Sequence, residues 1–139
     1  MALSFDHITL GQRVKFGAGQ AAHNLAAEVE RLDARRIMMI SSKSGVKNAE
    51  QIAAHIDVHT WHTDVVMHVP KETADKARQV AADNKIDLLV SVGGGSATGL
   101  AKAIALTSAI PIVAIPTTYS GSEATNVWGL LRASAKARE

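Results

Sequence analysis

Residues 86–119 read IDLLVSVGGGSATGLAKAIALTSAIPIVAIPTTY. The run Ile86–Val92 is apolar, rich in leucine and valine and without helical spacing, which is the pattern of a strand buried on both faces. Gly93, Gly94, Gly95 and Ser96 follow at once. From Ala97 to Thr107 the residues Ala97, Leu100, Ala101, Ile104 and Ala105 recur at three- and four-residue steps, so this segment predicts a helix with one buried stripe. A second apolar run, Ile110–Ile115, ends at Pro116. The unit is strand, glycine turn, helix, strand, and so short a connection makes the two strands parallel with a right-handed crossover.

The glycine turn has a chemical reading. Gly93, Gly94 and Gly95 lack a Cβ, so the backbone can take positive φ and an anionic group can approach it closely. Ser96 is expected to cap the following helix, whose first-turn N–H groups and dipole then form a site for a phosphate. The motif is not a Walker A loop, since Lys102 does not follow a glycine in GK[ST] order, and GGGSAT misses GxGxxG by one position. A tight strand-to-helix turn with no ligand is the alternative. The next loop, Thr117 to Glu123, leaves the carboxyl end of the following strand, and Ser120-x-x-Glu123 reads as a capping box. If the strands are neighbours, both loops rim one crevice outside the carboxyl ends of the sheet, where open α/β sheets bind ligands. Hydroxyls of Thr117, Thr118 and Ser122 then suit a ribose or a base.

Upstream, Ser4 to Phe16 alternates loosely and predicts short strands or a hairpin. Gly17-Ala18-Gly19-Gln20-Ala21-Ala22 is formally GxGxxA and opens a helix to about Leu32, although no acidic partner ends the strand at Ile37–Ile40. Ser44 to Ile56 predicts a second helix, Val58–Trp61 a short strand, Val65–Val69 an extended edge segment, and Lys71 to about Asn84 a third helix with Ala74, Ala77, Val80 and Ala81 inward. This alternation predicts an α/β fold: a doubly wound, mainly parallel sheet with helices on both faces, Rossmann-like. His55, His59 and His62 read as partly exposed residues around an edge strand, because they fall on different elements and no HExxH occurs.

Composition limits the remaining classes. A chain of 139 residues predicts one domain. A net charge of +2 with interleaved signs gives no basic stripe and no case for nucleic acid. With no cysteine, disulfides, cysteine-ligated zinc and thiol catalysis are excluded. The start, MALSFDHITLGQR, lacks the apolar core of a signal peptide, and no apolar run approaches the ~18 residues of a membrane span. A cytoplasmic protein without membrane contact is the expectation.

The strings GGGSATGLAKAIAL and IPIVAIPTTYSGSEATNVWGL, with MHVPKE at Met67–Glu72 and FGAG at Phe16–Gly19, resemble the amino-terminal domain of the maleylacetate reductase branch of the iron-containing alcohol dehydrogenase family. The wider family usually writes GGGSxxDxAK, and Gly99 stands at the aspartate position, as in the maleylacetate branch. The resemblance runs from about Phe16 to Leu130. It implies an oxidoreductase dependent on NADH or NADPH that reduces the carbon-carbon double bond of maleylacetate to give 3-oxoadipate. Gly93, Gly94, Gly95 and Ser96 would hold the pyrophosphate, Thr117, Thr118 and Ser122 the base and ribose, and Lys102 a ribose or nicotinamide edge. Ser42 stands near the position where the family often places an acidic residue on the adenine ribose, and with Lys43 beside it the cofactor choice stays between NADH and NADPH. Family members continue into an all-helical domain that supplies the metal ligands, for iron or zinc, and the substrate wall. None of its motifs follows Leu130, so residues 1–139 are expected to be a dinucleotide-binding domain without that metal site, forming a homo-oligomer or associating with a helical domain. Two alternatives stand: a nucleotide-binding module without catalysis, and a flavodoxin-like or receiver-type domain that binds no dinucleotide.

Overall fold

The computed structural model describes residues 4–9, 12–17, 19–67 and 69–117. A hairpin opens the chain: β1 (Ser4–Thr9) pairs antiparallel with β2 (Gln12–Gly17), Ser4 opposite Gly17 and Thr9 opposite Gln12. There follow α1 (Ala21–Leu32), β3 (Ile37–Ile40), α2 (Val46–Ile52), β4 (Val58–His62), α3 (Lys71–Asp83), β5 (Leu88–Gly93), α4 (Gly95–Ser108) and β6 (Ile112–Pro116). The last four strands form one sheet, parallel throughout, in the order β4-β3-β5-β6.

Alternation along the central strands builds two cores. Ile37, Met39, Leu88 and Val90 pack with Leu25 of α1 and with Ala49 and Ile52 of α2. Met38, Ile40 and Leu89 pack with Ala74, Ala77 and Ala81 of α3 and with Leu100, Ala101 and Ile104 of α4. Helices therefore cover both faces, which is why β3 and β5 read as continuous apolar runs rather than as alternating ones. The alanines on the inner stripes let α3 and α4 approach each other, and Arg78 Nε of α3 donates to the Ala103 carbonyl of α4 at 3.0 Å.

Three elements differ from the sequence expectation. The helix predicted over Ser44–Ile56 is a 3-10 turn at Lys43–Gly45 followed by the shorter α2. Its end tightens, with Ala54 N–H donating to Gln51 O and Ile56 N–H to Ala53 O, which folds Ile56 back onto the core instead of extending the helix. In the segment Val65–Val69, predicted as an extended edge, the described residues make no strand; Val69 N–H donates to Val66 O at 3.1 Å, and Val65 and Val69 turn inward against the α3–α4 core. The helix expected from Gly17 starts at Ala21, because β2 runs to Gly17 and Gly19 sits at φ 70°.

The amino end of the sheet is closed by a side chain. The Asp87 carboxylate accepts the Arg35 N–H at 3.0 Å and the Arg36 N–H at 2.9 Å, while Asp87 N–H donates to Arg36 O at 2.9 Å. This ties the entry of β3 to the entry of β5.

Candidate functional site

Among the described residues, none covers the carboxyl end of the sheet beside the glycine turn. β5 is buried along its length until Gly93, where the chain takes φ 140°, a conformation L side chains rarely adopt. Gly94 follows in an extended conformation (φ −92°, ψ −154°) and serves as the N-cap, so α4 begins at Gly95. Ser96 is thus not the cap expected from sequence: it lies inside the first turn, and no side chain caps this helix. Intrahelical bonding starts with Thr98 N–H to Gly94 O at 3.2 Å. The amides of Gly95, Ser96 and Ala97 precede that bond and have no acceptor within the helix. Together with the helix dipole they make an anion-receiving end.

Topology places a crevice beside this turn. From β3 the chain steps outward to β4 on one side, and from β4 it crosses back to β5 on the other, so the strand order reverses between β3 and β5. Ligands of open α/β sheets lie outside the carboxyl ends of strands at such a reversal. Here it holds a cavity of about 230 Å³ lined by the Gly93–Ala97 turn, Val92, Ser42 and Val65. That is below the roughly 300–1,000 Å³ of complete ligand pockets and suits a diphosphate with part of its sugar rather than a whole dinucleotide. A Cβ on Gly93 would stand 3.6 Å from the Ala97 Cβ, on the cavity lining.

The predicted residues divide accordingly. Gly93, Gly94, Gly95, Ser96 and Ser42 meet in the cavity. β5 and β6 are neighbours, with Gly93 paired to Pro116, and Thr117 N–H donates to Gly93 O at 3.2 Å. Thr117 therefore adjoins the glycine turn, although it does not line the cavity, which opens toward β3. Thr118, Ser122 and the Ser120–Glu123 capping box lie outside the described residues. Lys102 is half-buried farther along α4 and outside the cavity lining. The described residues of the GxGxxA string are not among those lining the cavity, and its first glycine, Gly17, ends β2 of the hairpin.

Ser42 ends the other wall. Its Oγ lies 3.1 Å from Ser44 Oγ, and its carbonyl accepts Gly45 N–H at 3.0 Å. The residues after β3 are Ser41, Ser42, Lys43 and Ser44, with no carboxylate among them. Val65, the wall facing the turn, was invisible to sequence reasoning, since an apolar residue in a loop carries no chemical signal of its own.

The histidines separate too. His59 Nε2 lies 2.9 Å from the Arg36 guanidinium, and His55 is exposed beyond α2. His62 is not the partly exposed residue expected: it closes β4 at 8% exposure, its Nε2 has no hydrogen-bond partner among the described residues, and burial holds its pKa below the ordinary imidazole value. Among the described residues no group of three or more His, Cys, Asp or Glu could hold a metal, and no helix is long and apolar enough to cross a membrane.

Fold and cleft together define a doubly wound, Rossmann-like α/β domain with an anion-receiving glycine turn at its switch point. The profile of the iron-containing alcohol dehydrogenase family matches residues 11–138, and the chain belongs to that family. Maleylacetate reductase from Pseudomonas sp. strain P51 is 44% identical over 130 residues, which cover 92% of this chain and 37% of that protein. The crystal structure of an iron-containing alcohol dehydrogenase from Corynebacterium glutamicum superposes with a TM-score of 0.81 at 56% identity, covering 88% of this chain and 34% of that one. Sulfoacetaldehyde reductase from Bifidobacterium kashiwanohense, in complex with NAD+, gives a TM-score of 0.68 at 25% identity over 76% of this chain and 34% of its own. The chain thus spans little more than a third of the length of the curated relatives it matches.

Proposed function

We propose that this chain is the dinucleotide-binding domain of an NAD(P)H-dependent oxidoreductase of the maleylacetate reductase type. The observation that carries the reading is the uncapped amide turn at Gly93–Ala97, set in the crevice where strand order reverses. The residues fit a pyrophosphate, because small side chains let it approach and the first amides of α4 point a partial positive charge at it. Ser42 lines the same cavity, which supports a contact from its hydroxyl to the sugar side of the same ligand. With Ser42 and Lys43 in place of a carboxylate, the site accepts either NADH or NADPH. Thr117, Thr118 and Ser122 complete the ribose and base contacts, and Lys102 reaches a ribose or nicotinamide edge.

When bound, the cofactor would supply a hydride to one carbon of the maleylacetate double bond, and a proton taken from solvent by the other carbon completes 3-oxoadipate. The residues of this chain bind and orient it. Among the described residues, the cavity lining presents hydroxyls and amides but no imidazole or carboxylate, so these residues do not fit a divalent metal and supply no acid-base group. We assign the family's iron or zinc site and its substrate wall to the helical portion of the relatives that this chain does not span, and expect the domain to work as a homo-oligomer or against that helical partner, in the cytoplasm. Light scattering on the eluted protein distinguishes association from a monomer.

The same lining favours a second reading, a nucleotide-binding module without turnover of its own. Titrating the purified chain with NADH while following reduced-nicotinamide fluorescence is expected to give saturable binding, and its absence refutes the dinucleotide site. Consumption of NADH by this chain with maleylacetate dismisses the module.

A further inference from the structure

The segment between β4 and α3 reaches the cleft in a conformation its own sequence opposes. Val69 sits at φ 40°, although it is β-branched and precedes Pro70, two features that disfavour the left-handed region. Such a conformation persists only where its surroundings over-determine it. Three contacts do so here. Val69 N–H donates to Val66 O at 3.1 Å, Pro70 O accepts Ala74 N–H at 3.0 Å as α3 begins, and the Val69 side chain packs on the α3–α4 core. The last of these depends on Gly99: a Cβ built there would lie 3.1 Å from Val69 Cγ2, tighter than ordinary van der Waals contact. A few residues earlier in the same segment, Val65 forms the cavity wall that faces the glycine turn.

We propose that Gly99 is a positioning residue: its bare face on α4 seats Val69, and this seat fixes the height of the Val65 wall above the Gly93–Ala97 turn and hence the width of the cleft. Gly99 does not line the cavity. Its bare face lets Val69 sit close, and a methyl added there with Val69 in place pushes the segment outward by a few tenths of an ångström and widens the cleft. The inference rests on the dinucleotide reading for its consequence in binding but not for the seat itself.

The test uses the 139-residue chain in four forms: parent, Gly99→Ala, Val69→Ala, and the double variant. Two readouts separate the claims: hydrogen exchange at residues 63–67, and the Kd for NADH from fluorescence titration. Gly99→Ala is expected to speed exchange in that segment and to weaken NADH binding on the order of tenfold, the scale of a small misplacement of a binding wall. In the double variant the Cγ2 that meets the new methyl is gone, so Gly99→Ala should add little to the effect of Val69→Ala alone, a coupling that independent structural losses would not show. Should Gly99→Ala fold poorly, the double variant compared with Val69→Ala still reads the coupling, because the seat requires those two to agree. Exchange unchanged by Gly99→Ala, or a Gly99→Ala effect as large in the Val69→Ala background as in the parent, overturns the seat. Altered exchange with unchanged Kd overturns the positioning role. A parent chain that binds no NADH refutes the dinucleotide reading, while exchange still decides the seat.

Discussion

The two ends of the parallel sheet solve the same problem in opposite ways. At the amino end the loose backbone donors of Arg35 and Arg36 are taken up by the Asp87 carboxylate. At the carboxyl end the first amides of α4 meet no capping side chain, and glycines keep the approach clear. Buried or half-buried polar backbone is ordinarily satisfied within the protein. An end that satisfies its donors stabilises the fold, and an end that leaves them presented to a cleft holds them for a ligand.

The contrast breaks most sharply at Gly93. Gly93→Val places a β-branched residue at φ 140° with its Cβ toward Ala97, so NADH affinity is expected to fall on the order of a hundredfold, with a loss of about 1–3 kcal/mol in stability from backbone strain. Fluorescence titration beside urea unfolding measures both, and full affinity in a folded variant would contradict the assignment of the carboxyl end. Asp87→Ala should do the reverse: about 1 kcal/mol of stability lost as water replaces the carboxylate on the exposed Arg35 and Arg36 amides, with NADH affinity retained in whatever remains folded. Weakened binding without lost stability would show that the amino end is not merely structural.

His62, near the open end, adds a pH dependence. Its folded pKa is lowered, chiefly by burial and against the opposing pull of Asp64, so below the unfolded value of about 6.5 the unfolded chain binds a proton that the folded chain refuses. Stability present above that pH is lost as pH falls, and the melting temperature should drop between about pH 7 and pH 5. His62→Gln should flatten that slope; an unaltered slope assigns it to other groups. The smallest effect belongs to Lys71 and Asp75, a 2.6 Å surface pair whose hydrogen bond raises the lysine pKa and lowers that of the carboxylate. Because both groups face solvent, Asp75→Asn should leave the melting temperature within experimental scatter.

What the sequence disclosed follows from range. β5, the glycine turn and α4 were readable because their signals are local: an unbroken apolar run, residues without side chains, then three-and-four spacing. Strand order was not, since the insertion of β3 between β4 and β5 is a contact between distant segments. The cavity opens toward Ser42 because β3 lies beside β5, a placement that no local pattern in residues 37–42 reports. Ser96 looked like a cap by residue type, but Gly94 takes the extended conformation a cap requires. Apolar residues at 65 and 69 suggested a strand, and only the packing against α4 turns them inward. Burial of His62 likewise depends on neighbours that periodicity cannot report.

β3 carries one more consequence. Its four residues Ile37–Ile40 are all at most 1% exposed, and they point alternately into the two cores, Ile37 and Met39 into one and Met38 and Ile40 into the other. Neither helical layer can detach without stripping this shared spine, so heat or urea should take the domain apart in a single cooperative step, with no half-melted species accumulating.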